Sequence, residues 1–186
     1  AKVLFASSDF ADEAPKLGKD VADLAHVFLM DSPADGADDY DKWLAGQSAD
    51  RVETAVADTD IAFISYTSGS TGMPKGVLLT HVAVDWMTRN LRRALLFDHH
   101  DRCLLAVPMF HANGMFACLF SMLECGGTVV ILHDVDPIEM IRTIANEKCT
   151  YTSGVPAMYK VMLREEAALA EYDCSSLQFV ICGSSE

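Results

Sequence analysis

No stretch of this sequence is apolar for long enough to span a bilayer, which takes roughly 20 consecutive residues. The longest apolar run, 115–123, contains Ser121 and stops at Glu124, so an integral membrane segment is not expected. Nothing reads as a signal peptide either, because the opening AKVLFASSDFADEAP turns acidic within about ten residues. Cations are scarce: 14 Lys and Arg stand against 27 Asp and Glu, a formal net charge of −13. A nucleic-acid surface needs clustered cations, so that class is excluded. The net field would repel a polyphosphate, and any anion site must be built locally from backbone N–H groups and a few cations. Much of the excess acid lies between Asp9 and Asp60, including DSPADGADDYDKW. That run reads as a solvated surface connection, with an interaction tail as the alternative. None of the six cysteines (Cys103, Cys118, Cys125, Cys149, Cys174, Cys182) belongs to a CxxC pair. Most sit inside apolar runs, which fits core thiols in a reducing, cytoplasmic setting; a disulfide frame or a metal site is the alternative. There is no internal repeat, no low-complexity tract and no initiator Met. The chain is therefore expected to be processed or cut from something longer.

What is present suffices for a real core. At 186 residues and 51% hydrophobic, the chain can make one domain or two small lobes. Short apolar runs predict strands at 3–6, 26–30, 61–67, 103–108, 128–132, 150–154 and 177–183. A helix is predicted from about His81 to Phe97, with Val84, Met87, Leu91 and Leu95 on one face and Arg89, Arg92 and Arg93 off it. A second, from about Gly114 to Cys125, is apolar nearly all round and should be buried, with Gly126 and Gly127 as its stop. A third carries Asp136 as N-cap, Pro137 in the first position and Glu139 completing a capping-box-like start. A fourth covers 157–170. Residues 34–58 are polar and expected to be irregular. The alternation implies an α/β fold, with mostly parallel strands covered by helices.

One stretch carries the chemistry: YTSGSTGMPKGVLLTH, 66–81. Thr67, Ser68, Gly69, Ser70, Thr71 and Gly72 directly follow a predicted buried strand. Glycine accepts positive φ and lets backbone approach a ligand. Successive N–H groups in such a turn form an anion-binding concavity. Hydroxyls add donors, Pro74 restricts the loop and Lys75 supplies a full positive charge. It is not the P-loop GxxxxGK[ST], which runs straight into a helix; here the strand-like VLLT intervenes, so no helix dipole assists. A plain Gly/Ser surface hairpin is the alternative for a loop of this composition.

The order of residues decides between them. TSGSTGMPKG closely resembles the phosphate-loop signature of the adenylate-forming superfamily, which includes acyl- and aryl-CoA ligases, peptide-synthetase adenylation domains and luciferases. PMFHANGM (108–115) resembles that family's motif bordering the acyl pocket and the adenylate. FVICGSSE (179–186) resembles the start of its adenine-contacting segment. The resemblance implies that Thr67, Ser68, Gly69, Ser70, Thr71, Gly72 and Lys75 hold the β- and γ-phosphates of ATP, with Thr67 also near Mg²⁺. It implies that Gly183, Ser184 and Ser185 lie by the adenine and acyl pocket. His111, beside Phe110 in an apolar stretch, reads on its own as a structural residue. The resemblance gives it a positioning role at the acyl-pocket mouth and not one as general base, since a carboxylate nucleophile is already ionised at neutral pH. His81, His99 and His100 receive no role.

The implied reaction has two steps: a carboxylic acid is activated by ATP as an acyl-adenylate with release of pyrophosphate, then coenzyme A forms the thioester. MFHANG stands where amino-acid-activating relatives usually carry an FD-type sequence, which favours a fatty or aryl acid. The family's YGxTE segment, its TGD segment and the lysine of its small C-terminal domain do not occur in these residues. The chain is therefore expected to be a partial N-terminal AMP-binding domain over 1–186, inactive alone and prone to self-association through exposed edges. A non-catalytic nucleotide-binding module that keeps the loop, or an unrelated phosphotransferase, is the alternative.

Overall fold

The computed structural model describes residues 1–30, 35–67 and 72–183, which fall into two compact units, 1–55 and 56–186. In the first, β1 (Val3–Ala6) pairs in parallel with β2 (His26–Leu29), and α1 (Ala14–Asp20) connects them. The polar stretch expected to be irregular holds a further helix, α2 (Tyr40–Ala45). The Asp39 side chain caps it by accepting from Lys42 N at 3.0 Å. Tyr40 and Trp43, one turn apart, set their rings 5.8 and 4.9 Å from that of the fully buried Phe28. Two aromatic rings on one core residue outweigh the weak propensity of a short acidic segment.

The second unit opens with an antiparallel hairpin, β3 (Ile61–Thr67) and β4 (Lys75–Thr80), the exception to the parallel rule. Thr80 then caps α3 (His81–Leu95), its hydroxyl accepting from Ala83 N. The predicted stripe is the covered face, and it gains Thr88, which can be buried because its hydroxyl donates to Val84 O at 2.8 Å. Arg92 is not simply off the stripe. Its Nη1 donates to both oxygens of Glu124 at 3.1 Å and its Nε to Phe97 O.

Four parallel strands follow: β5 (Arg102–Leu105), β6 (Thr128–Ile131), β7 (Tyr151–Gly154) and β8 (Phe179–Cys182), in the order β6-β5-β7-β8. Between β5 and β6 the expected α-helix is a π-helix over Asn113–Phe120, continuing as α4 (Ser121–Cys125). The buried Ser121 hydroxyl donates five residues back to Phe116 O at 2.7 Å, which fits the widened turn. Gly126, at φ +75°, closes α4 as expected. The cap of α5 (Pro137–Glu147) is also as expected, Asp136 Oδ1 accepting from Glu139 N at 2.7 Å.

The fourth predicted helix is two, α6 (Pro156–Met162) and α7 (Glu166–Glu171). In one straight helix Ala168 would point roughly 120° away from Met162. The break lets Met158, Met162 and Ala168 enter the same core cluster.

Strand alternation sorts the packing. Leu104 faces α5, α6 and α7, whereas Cys103 and Leu105 face Phe97, the π-helix and α4. Both faces of the sheet are thus covered. Cys103, Cys118 and Cys149 are buried thiols, Cys125 and Cys174 are half-buried, and Cys182 is exposed.

Candidate active site

The layering creates a particular place in the sheet. The connection after β5 leaves toward the π-helix side, and the connection after its neighbour β7 leaves toward the α6 side. Where adjacent parallel strands send their chains to opposite faces, a crevice opens at their carboxyl ends. A cavity of about 420 Å³ lies there. The turn after β5 lines it with Pro108, His111, Ala112 and Asn113, the turn after β6 with Val135, and the start of α6 with Val155 and Met158. The volume falls in the range of small-molecule sites, and the walls are mostly apolar.

Gly114 makes the first wall possible. A Cβ on it would stand 2.6 Å from Pro108 O and 3.3 Å from Met109 Cα, so only glycine lets the chain fold back this tightly. His111 N then donates to Pro108 O at 3.1 Å, and Met115 N to His111 O at 3.0 Å. The His111 ring lies exposed beside Phe110, centroids 4.6 Å apart. Its place is the edge of the crevice.

The hairpin lies next to this wall. In the β3–β4 register Thr67 faces Lys75 directly. Alternation puts both on the same face as Phe63, whose ring meets Phe120 of the π-helix at 5.4 Å. A second cavity, of about 340 Å³, is bordered by Tyr66 on β3 and by Phe110 and Met115. The loop's stem and the segment around His111 therefore share a neighbourhood. Lys75 is exposed and makes no ion pair with a described residue. Gly72 has φ +83° with open space around it, so the dihedral and not crowding calls for glycine. Ser68, Gly69, Ser70 and Thr71 lie outside the described residues, as do Ser184 and Ser185. Gly183 directly follows β8 on the same rim as the crevice, donating from its N to Gly154 O at 3.2 Å.

Burial pushes up the pKa values of the Tyr151 and Tyr159 hydroxyls and the Cys103 thiol, and raises Cys149 to about 11. These groups are neutral at physiological pH and serve packing. Tyr151 Oη donates to Ala117 O at 2.8 Å and Tyr159 Oη to Ile181 O at 2.8 Å. Among the described residues no three His, Cys, Asp or Glu side chains gather as a metal site, and Thr67 is exposed. No described helix is long and apolar enough to cross a membrane.

Ser153 and Asn113 went unassigned from sequence. Ser153, fully buried at the end of β7, donates from Oγ to Asn113 Oδ1 at 2.7 Å and so joins the two sides of the crevice. Asn113 stood within PMFHANGM without a role. Ser153 showed only as a hydroxyl at the end of a strand.

A parallel sheet with a ligand-sized crevice at its switch point, flanked by a hydroxyl- and lysine-bearing hairpin, is the layout of an α/β small-molecule-binding protein. The chain belongs to the AMP-binding enzyme family, whose model matches residues 1–186. It is 33% identical over 175 residues to a feruloyl-CoA synthase from Amycolatopsis sp., covering 92% of this chain and 33% of that protein. It is 31% identical over 150 residues to the long-chain-fatty-acid–CoA ligase FadD13 of Mycobacterium tuberculosis, covering 81% and 29%. The chain thus spans about a third of the length of the curated relatives it matches. An inhibitor-bound N-terminal domain of FACL13 from Mycobacterium tuberculosis superposes with a TM-score of 0.83 at 26% identity, over 100% of this chain and 45% of that one. The anthranilate CoA ligase AuaEII, in complex with anthranoyl-AMP, superposes with a TM-score of 0.86 at 22% identity, over 100% and 36%, which shows the shared fold.

Proposed function

We propose that this chain is the phosphate-loop-bearing part of an ATP-dependent acid–CoA ligase acting on a fatty or aryl acid. The observation that carries the reading is the pairing of Thr67 with Lys75 at the mouth of a hairpin beside an apolar crevice. Hairpin and crevice offer the two things such a reaction needs, a grip on phosphates and a place for an apolar acid. The acid's carboxylate oxygen bonds to the α-phosphorus as the bond to the bridging oxygen breaks, and pyrophosphate leaves with the electron pair. Lys75 and the loop hydroxyls and N–H groups offset the charge gathering on the departing oxygens, a role worth several kcal/mol per well-placed donor. His111 orients the acid at the mouth, and Gly183 with Ser184 and Ser185 borders the base. A magnesium ion arriving with the nucleotide would neutralise phosphate charge, with Thr67 as its proposed contact. Coenzyme A is the proposed thiol acceptor.

The 186 residues are proposed to be a partial domain that does not complete the reaction unaided, since orientation and charge neutralisation both need groups they lack. ATP–pyrophosphate exchange by the full-length protein, with a panel of fatty and aryl acids, tests the reading. Exchange that requires an acid and falls at least about a hundredfold in Lys75→Ala supports it. Tight ATP binding without acid-dependent exchange refutes it in favour of a binding module, and ATP hydrolysis indifferent to every acid refutes it in favour of a phosphotransferase.

A further inference from the structure

Three of the chain's 14 cations fall within five residues at the end of α3, and all three line one cavity. Arg89, Arg92, Arg93, Leu96, Phe97 and Glu124 surround about 460 Å³. The chain turns here toward the start of β5, and the Phe97 ring stacks on that of Tyr151, the first residue of β7, at 4.4 Å. The cavity therefore lies at the amino ends of the strands, away from the crevice at their carboxyl ends.

Spacings of three and four residues put these guanidiniums on one side of the helix, where like charges repel. Two of the three are held. Arg89 Nε donates to Asp85 Oδ1 at 2.8 Å, and Arg92 is fixed by Glu124 and Phe97 O. Arg93 is exposed and no described residue accepts from it, nor from either Nη of Arg89 or from Nη2 of Arg92. Three guanidiniums in the lining face the single carboxylate of Glu124, which leaves two positive charges in surplus. Leu96 gives the cavity an apolar lip. It stands at φ +58°, a left-handed conformation in which glycine is usual at a helix end, and it is 86% exposed.

Guanidinium forks match the oxygens of carboxylates and phosphates. A phosphomonoester carries close to two negative charges at neutral pH and three terminal oxygens, against one charge and two oxygens for a carboxylate. It answers both the surplus charge and the three forks. We propose that this cavity is a phosphomonoester-binding site, in which Arg89, Arg92 and Arg93 hold the terminal oxygens and Leu96 borders the ester's organic body. The inference stands apart from the ligase reading and from the hairpin that carries Lys75. A free small molecule and a lipid headgroup both present this group.

Two titrations of the full-length protein test it. Calorimetry with phenyl phosphate probes the free ester. Cosedimentation with phosphatidylcholine vesicles containing phosphatidic acid, whose headgroup is a phosphomonoester, probes the lipid. Binding should weaken about tenfold in Arg93→Gln and in Arg89→Gln. Arg93 has no described contact to lose, so its variant should keep the wild-type fold. Phenyl sulfate, of similar shape with one charge, should bind at least about fivefold more weakly than phenyl phosphate. Arginine-dependent binding of phenyl phosphate assigns a free small molecule; arginine-dependent binding confined to phosphatidic acid vesicles assigns a lipid headgroup. Binding that is unchanged in both arginine variants overturns the proposal, as does a protein that takes up neither the free ester nor the vesicles. Vesicles of phosphatidylglycerol, a singly charged diester, that bind equally well at matched surface charge also overturn it, since the surface then responds to charge alone.

Discussion

Replacing Gly114 by alanine sets two effects of opposite sign against each other. In a helix interior alanine is favoured over glycine by about 1 kcal/mol, so propensity alone would raise stability. The new Cβ, however, lies 2.6 Å from Pro108 O and 3.2 Å from Pro108 C, well inside the roughly 3.3 Å of a close carbon–oxygen contact. Both neighbours are backbone atoms, so no side-chain rotation relieves the overlap. The chain must open between Pro108 and Gly114, at an overpacking cost of about 1–3 kcal/mol. Opening also weakens the His111 N bond to Pro108 O, adding about 1 kcal/mol. Sterics therefore win by about 1–3 kcal/mol. At roughly 2–4 °C per kcal/mol for a chain of this size, the melting temperature should fall by about 2–12 °C. Circular dichroism melting of wild type and Gly114→Ala measures it. Gly183→Ala is the control, because a Cβ there meets nothing within 4 Å, and it should stay within about 0.5 kcal/mol of wild type. A Gly114→Ala protein that melts at or above the wild-type temperature would refute the claim that backbone crowding shapes this wall.

Tyr151→Phe removes the hydroxyl that binds Ala117 O at 2.8 Å and leaves that buried carbonyl without its partner; urea titration should show a loss of about 1–3 kcal/mol. Alkaline pH should also destabilise the fold. Burial raises Cys149 to about 11, above an unfolded thiol near 8.5, so the unfolded state releases its proton first. This contribution is complete below about pH 8.5 and is lost as pH rises through the folded value, with a slope near 1.4 kcal/mol per pH unit; Cys149→Ala should flatten that part of a stability–pH profile. Ile64 and Leu78, paired across the hairpin, are 52% and 58% exposed on one face with Tyr66 at 71%. The chain is therefore expected to self-associate through that face, and Leu78→Lys should weaken the association in sedimentation velocity. A wild-type monomer at high concentration would contradict it.

Local sequence was enough for the elements whose causes are local. Asp136, Pro137 and Glu139 start α5 through groups within three residues of one another, and Gly126 stops α4 through its own dihedral. The alternation of apolar runs fixed the strands and, with them, the parallel α/β class. The order TSGSTGMPKG marked the family. Tertiary structure decided the rest, because its causes join residues far apart in the chain. Phe28 recruits Tyr40 and Trp43 into a helix that composition hides, and a shared core breaks α6 from α7. The crevice exists only because the chains after β5 and β7 leave the sheet on opposite sides. Ser153 reaches Asn113 across 40 residues of sequence, and no periodicity or motif records a hydrogen bond that only the folded sheet brings into range.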